Sequence, residues 1–268
     1  MVKKLIKHEF IYYLRTLAIF LPVVLAMGLS TLIVQLFKND TIWFTIIQIG
    51  SYTLLVFASF VCIFLTAILG IVRFYKNMYS AEGYLTFTLP VSNNQHIFAK
   101  LLTYVVCEVV SVVVVILTWL IALAPHLGIL PVIFEDIVEF IRLMKAGQFI
   151  LFIIEITILL LISVISNPLL YYACISIGQL AKKNRILLAI GAYYIYTVIV
   201  QILSTIGSAF FTLVATLGAF EGLIYFIEAH PMLAFHGFMW ITIILSAALA
   251  FVFYLITIKI MNKKLNLE

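Results

Sequence analysis

Two glutamates, Glu108 and Glu155, lie inside long apolar runs. Because of this position, they are the ionisable side chains most suited to a chemical role. A carboxylate in lipid is costly and usually faces a bundle interior or water, where it can contact a cationic substrate or form part of a gate. The other interpretation is a hydrogen bond or ion pair between spans. Neither glutamate has an obvious histidine partner in the sequence, which leaves both interpretations open.

Motifs for catalysis or metal binding are absent from the sequence. It contains no GxxxxGK[ST], HExxH or GxSxG pattern, and the histidines and acids show no metal-ligand spacing. Cys62, Cys107 and Cys174 are far apart in apolar runs and are expected to be buried free thiols. We therefore predict no catalytic residue, no metal site and no cofactor in this chain.

The composition predicts a membrane protein. Hydrophobic residues make up 65% of the 268 residues and charged residues only 10%. In soluble domains about 45–50% of the residues are apolar and about 25% are charged. The basic residues sit at the ends of apolar runs, so membrane topology explains the net charge of +5 better than nucleic-acid binding does. We expect an all-α polytopic protein whose residues 1–268 form a single transmembrane domain.

Charged residues divide the chain into six apolar runs long enough to span a bilayer. The predicted spans are Leu17–Phe37, Ile46–Val72, Leu101–Leu123, Phe149–Tyr172, Ile186–Thr216 and Phe235–Ile258. Thirteen of the sixteen Lys and Arg residues fall in the termini and the alternate connections that share their side. We therefore expect a multi-pass protein of the cytoplasmic membrane. The positive-inside rule places both of its termini in the cytoplasm.

Two spans carry polar residues at helical spacing along one face. Such a seam marks either helix–helix packing or the lining of a conduit. The seam residues are Gln48, Tyr52, Ser59 and Thr66 in the second span, and Tyr194, Thr197, Gln201, Ser204 and Ser208 in the fifth.

Three segments outside the spans have amphipathic or broken patterns. Residues 1–16 read as a separate amphipathic helix in the membrane interface, where Arg15 joins the basic face that meets lipid headgroups. Glu9 lies on its apolar side and either snorkels or pairs with a basic group of this chain or a partner. The pattern of residues 125–146 predicts an extracellular amphipathic segment. That of residues 207–235 predicts short extracellular helices that re-enter the outer leaflet.

The cytoplasmic segment 73–100 is too long for a minimal connection between helices. It contains large apolar residues, and Pro90 precedes Ser92, which could cap the next helix. A short helix or turn with exposed aromatic residues would suit docking into a groove of a cytoplasmic partner.

The stretches KKLIKHEFIYYLRT and EGYLTFTLPVSNNQHIFAKLL resemble permease subunits of the type-2 ABC exporter superfamily. In small Firmicutes-type members a G-Y-L-x-x-T-L-P-[VI]-S pattern precedes the third span. The resemblance implies that residues 1–16, with Glu9 and Arg15, are the elbow helix. It also implies that 76–92 is a coupling helix and that 174–185 makes a smaller second contact.

The same resemblance implies partners and cofactors. An ABC ATPase (nucleotide-binding) subunit dimer would bind ATP and Mg, and a second permease subunit, identical or different, would complete the translocation path. The cargo would be an antimicrobial peptide, a drug or a lipid. The residues implied to contact the ATPase are Tyr79, Glu82, Gly83, Tyr84, Leu85, Phe87, Leu89 and Pro90.

Three other functions remain open on the sequence alone. A secondary transporter or channel would need an ion-coupling site, for which Glu108 and Glu155 are the candidates. An intramembrane enzyme would depend on Glu155 or His236. A non-transporting assembly factor would share the fold while a partner carries the chemistry.

Overall fold

The described part of the protein is helical, with no strand in it. In this computed structural model, residues 2–37, 41–88, 90–125, 135, 139, 146–216 and 221–263 are described. The helices with defined bounds are α1 (Val2–Leu36), α2 (Ile42–Tyr79), α3 (Ala81–Phe87), α4 (Asn93–Leu123), α5 (Ala146–Gly178), α6 (Arg185–Thr216), α7 (Glu221–Ala229) and α8 (Pro231–Lys263). The predicted all-α architecture is confirmed.

Six of these helices, α1, α2, α4, α5, α6 and α8, are long and apolar enough to cross a membrane. They coincide with the six predicted spans and extend beyond most of them by a turn or more. The fold is therefore consistent with a multi-pass all-α membrane protein.

The chain divides into two compact units, of which the first contains residues 1–78 and 82–143. In this unit α1 and α4 pack together along most of their length. Residues at three-, four- and seven-residue steps form the buried face of α1, namely Glu9, Tyr13, Leu17, Val24, Gly28, Thr31 and Gln35. Because such positions share one side of a helix, α1 presents a single continuous face to its neighbours.

Small side chains allow close contact between the helices of the first unit. A Cβ atom added at Gly28 of α1 would overlap the Thr118 side chain of α4 and lie 3.0 Å from its carbonyl oxygen. Gly70 of α2 is similarly close to the ring of Tyr104. Small residues at helix crossings are a common device in membranes, where packing rather than the hydrophobic effect drives helix association.

The turn between α3 and α4 has the predicted cap. The Ser92 hydroxyl accepts a hydrogen bond from the Gln95 backbone N–H, and the Gln95 side chain accepts one from the Ser92 backbone N–H. This reciprocal pair satisfies two amide groups that the start of a helix leaves without partners. It fixes the first turn of α4 immediately after the α3 segment.

The second unit contains residues 79–81 and 144–268. Within it α5 packs against α8 and α6, and α7 packs against α8. The turn into α6 uses Asn184 in the left-handed region, at φ 57, which asparagine tolerates better than most residues. At the same corner a Cβ atom on Gly178 would lie 2.6 Å from the Arg185 carbonyl oxygen, so α5 and α6 approach closely there.

Some predicted segments differ from the structure or lie outside its described part. Residues 2–16 are the first turns of one continuous helix, α1, rather than a separate helix. The predicted segment 125–146 lies almost wholly outside the described residues. In region 207–235, α6 extends to Thr216 and α7 is a short helix, while 217–220 are not described. Re-entry of this region into a membrane stays a prediction.

The close approach at Gly28 gives a stability test. Replacing Gly28 with Ala is expected to lower the free energy of unfolding by about 1–3 kcal/mol. The Thr118 side chain cannot rotate away cheaply, because its hydroxyl donates to the Val114 carbonyl oxygen at 2.8 Å. The loss would appear as a lower thermal midpoint of the purified protein in detergent.

Gly50 supplies the matched control. An added Cβ there meets nothing within 4 Å, and alanine favours a helix by about 1 kcal/mol over glycine. Gly50→Ala is therefore expected to leave the thermal midpoint unchanged or raise it. Equal midpoints for the two variants would contradict the packing described for α1 and α4.

Candidate functional site: a buried carboxylate cluster and a short exposed helix

Three helices of the first unit converge on the carboxylate of Glu9. Glu9 begins the buried face of α1. Arg73 and Asn77 lie four residues apart on α2 and so project from the same side of that helix. Lys100 lies on the buried face of α4. The sequence separations from Glu9 are 64, 68 and 91 residues, so the cluster depends on the tertiary fold.

All three partners donate hydrogen bonds to Glu9. Arg73 Nε donates to Oε2 at 2.9 Å, Asn77 Nδ2 donates to Oε1 at 2.9 Å, and Lys100 Nζ donates to Oε1 at 2.6 Å. The side chains of Glu9 and Lys100 are only 2% and 3% exposed. Charge-assisted hydrogen bonds of this kind are stronger than those between neutral groups.

The pairing resolves the two interpretations of Glu9. The carboxylate does not snorkel toward the surface, because it is buried and paired with basic groups of its own chain. Arg15, the other predicted residue of the elbow segment, is exposed on the surface of α1. Glu9 therefore acts as an interhelical clamp, and Arg15 remains available to the surroundings.

The short helix α3 presents most of its predicted contact residues to the surroundings. Glu82 and Tyr84 are exposed, and Leu85 is 75% exposed. Gly83 is buried and Phe87 is half-buried. A short helix with an exposed aromatic and an exposed leucine can occupy a groove in a partner.

Two side chains of α3 contact residues in or close to the buried cluster. A side-chain oxygen of Glu82 lies 3.8 Å from Arg73 Nη1. The Phe87 ring meets the edge of His96 at a centroid distance of 6.3 Å, and His96 is fully buried. Arg73 is a direct partner of Glu9, and His96 lies one helical turn before Lys100 on α4, so α3 lies beside the clamp.

The remaining predicted contact residues differ in placement. Tyr79 belongs to the second unit, is 1% exposed, and its hydroxyl lies 2.7 Å from that of Ser176. It is therefore absent from the exposed surface on which the sequence placed it. Pro90 is exposed. Leu89 lies outside the described residues.

The polar seam of α2 is engaged in packing over part of its length. The Thr66 hydroxyl lies 3.0 Å from the Ser111 hydroxyl, and the Ser59 hydroxyl accepts from Trp119 Nε1 at 3.1 Å. Both contacts join α2 to α4. Gln48 and Tyr52, nearer the start of α2, are half-buried. Ser59 and Thr66 therefore take part in packing between α2 and α4.

The polar seam of α6 has a different environment. All five of its predicted residues are exposed in the structure, namely Tyr194, Thr197, Gln201, Ser204 and Ser208. Thr197 donates back to the Tyr193 carbonyl of its own helix and Ser208 donates to that of Thr205. The seam therefore makes no packing interface within the described part of the second unit.

Glu155 has a histidine partner that is not recognisable from the sequence. His236 Nδ1 of α8 lies 2.7 Å from Glu155 Oε2 of α5, and both side chains are buried. The expectation that Glu155 has no evident histidine partner was wrong. The partner could not be recognised in the sequence because 81 residues separate Glu155 from His236. Their positions, each near the start of its helix, were the available signal. The inter-span pair that the sequence left as an alternative is what the fold shows.

Glu108, the other intramembrane acid, is half-buried on α4. Its Oε2 atom is buried and has no hydrogen-bond partner among the described residues. Across the same part of the chain, no group of three or more His, Cys, Asp or Glu side chains is placed to hold a metal ion.

No family model, curated protein or solved structure matches this chain. The class that the fold itself defines is an all-α protein with six helices able to cross a membrane.

The clamp gives a second stability test. Glu9→Gln is expected to lower the free energy of unfolding by about 3–5 kcal/mol, because Lys100 stays buried after losing its counter-charge. Thermal unfolding of the detergent-purified full chain would measure the loss. The double variant Glu9→Leu with Lys100→Met removes both charges of the ion pair. It should recover part of the lost free energy of unfolding.

Glu82→Gln is the control for the loss of a carboxylate. Glu82 is exposed and its distance to Arg73 is long, so the change is expected to cost about 0–1 kcal/mol. A Glu9→Gln protein as stable as Glu82→Gln would show that the clamp contributes little.

Proposed function

We propose that this chain is the membrane-spanning subunit of an ATP-driven exporter of the type-2 ABC class, powered by a separate nucleotide-binding subunit. The observation that carries the proposal is the surface of α3, where Tyr84 and Leu85 are exposed just beyond the end of a long apolar helix. Exposed apolar side chains grouped at one place mark a surface for a partner. The resemblance of 82–102 to the coupling segment of that class supports a nucleotide-binding subunit as the partner.

The buried cluster supports a mechanical role for this surface. A force applied to a short helix is transmitted only if the helix is attached to a rigid body. Glu82 faces Arg73 and Phe87 faces His96, and both contacts lie beside the clamp that joins α1, α2 and α4. Movement of α3 would therefore act on several spans together, as in transitions between two packings of a helix bundle.

In the proposed cycle, ATP closes two nucleotide-binding subunits around each other, and their grooves move α3 of each of two membrane subunits. The membrane subunits then switch packing and move a cargo such as an antimicrobial peptide, a drug or a lipid. ATP and Mg bind to the ATPase subunits. The positive-inside pattern of the sequence supports a cytoplasmic position for α3 and both termini of the chain.

The partner can be identified by site-specific cross-linking. A photoreactive residue in place of Tyr84 is expected to capture a protein with the GxxxxGK[ST] motif in the native membrane, identified by mass spectrometry. Leu120 is exposed on α4 and provides the matched position from which no such product should form. Absence of an ATPase from the Tyr84 product would contradict the proposal.

A paired substitution tests the functional consequence. Tyr84→Ala with Leu85→Ala should leave the protein folded, since both side chains are exposed, and should abolish ATP hydrolysis by the purified complex. Ile116→Ala with Leu120→Ala removes two exposed apolar side chains of α4 and should preserve it. Cargo movement that persists without any ATPase would favour a secondary transporter, with Glu155 and His236 as the ion-coupling candidates.

A further inference from the structure

The Glu9 cluster carries an excess of positive charge. Glu9 contributes one carboxylate, while Arg73 and Lys100 contribute two cations. Lys100 is almost fully buried and forms its ion pair with Glu9. The second cation is therefore Arg73, whose side chain is 19% exposed and which shares Glu9 with Lys100; its other carboxylate neighbour is the exposed Glu82, 3.8 Å away.

Arg73 directs unused donors toward this exposed edge. Its Nε donates to Glu9, whereas the contact of Nη1 with Glu82, at 3.8 Å, is too long for a hydrogen bond. Among the described residues, its two terminal nitrogens have no hydrogen-bond acceptor. The guanidinium lies 4.3 Å from the centroid of the Tyr12 ring, which holds the plane of the group in place.

Other cations surround this edge. On α1, His8 and Arg15 lie four residues before and three residues after Tyr12, and all three therefore share one face of the helix. On α2, Lys76 lies three residues after Arg73. His8, Arg15 and Lys76 are exposed. Glu82 is the one described acid that the structure pairs with Arg73 across the surface.

We propose that Arg73, Tyr12, Arg15 and Lys76 form a binding site for the phosphate of an anionic lipid headgroup. A planar guanidinium with free donors matches the geometry of a phosphate oxygen pair, and the neighbouring cations add attraction. The site lies on helices long and apolar enough to cross a membrane, so a lipid can place its headgroup there while its chains stay in the bilayer. Glu82 competes with the phosphate for Arg73.

The site predicts lipid-specific retention by the full chain. Native mass spectrometry of the detergent-solubilised protein, titrated with phosphatidylglycerol or phosphatidylcholine, should show preferential retention of phosphatidylglycerol. Arg15→Gln and Lys76→Gln should each weaken that retention about fivefold, since each removes one basic side chain near the surface. Neither variant alters a described contact of Glu9, and both replaced side chains are exposed.

Glu82→Gln provides a test with the opposite sign. Removing the competing carboxylate should strengthen phosphatidylglycerol retention, with little effect on phosphatidylcholine. Lys182→Gln removes an exposed charge from the turn before α6. It should change the retention of neither lipid. Addition of inorganic phosphate should not displace the lipid.

Four results would overturn the site. These are equal retention of the two lipids, retention unaffected by Arg15→Gln and Lys76→Gln, a weaker interaction in Glu82→Gln, and displacement by inorganic phosphate. None of these measurements involves an ATPase, so the lipid site and the proposed export function can fail independently.

Discussion

The structure of the first unit depends on one buried carboxylate. Glu9 accepts hydrogen bonds from Arg73, Asn77 and Lys100, and so joins α1 to α2 and α4. Because Glu9 and Lys100 are buried, their charges interact strongly, and leaving one of them unpaired would be costly. Because the three helices are mutually dependent through this group, they are expected to respond as a body rather than individually.

This constraint explains how a short helix can serve as a point of attachment. Tyr84 and Leu85 of α3 are exposed, while Glu82 and Phe87 of the same helix contact Arg73 and His96. The same arginine completes the clamp with Glu9 and faces the surface with its remaining donors. A partner pressing on α3 and a lipid phosphate binding beside it would therefore act on the same arginine.

The features that depend on local sequence could be predicted, and those that depend on distant contacts could not. Hydropathy located the six spans, and Ser92 shortly after Pro90 indicated the start of α4. The pairing of Glu9 was one of two interpretations, since nothing local distinguishes a partner 91 residues away. The histidine partner of Glu155 was missed for the same reason. The two polar seams look alike in sequence, yet among the described residues of its own unit the seam of α2 packs against a neighbouring helix and that of α6 is exposed.

Hydrogen exchange of the α3–α4 region would test most directly whether the Glu9 clamp supports the exposed helix. In Glu9→Gln, backbone amides of Ala81–Phe87 and the first turns of α4 are expected to exchange faster, because Arg73 and Lys100 lose their common partner. Thr66→Val, which removes the hydroxyl contact with Ser111, should leave exchange there unchanged. Unaltered exchange in Glu9→Gln would contradict the account.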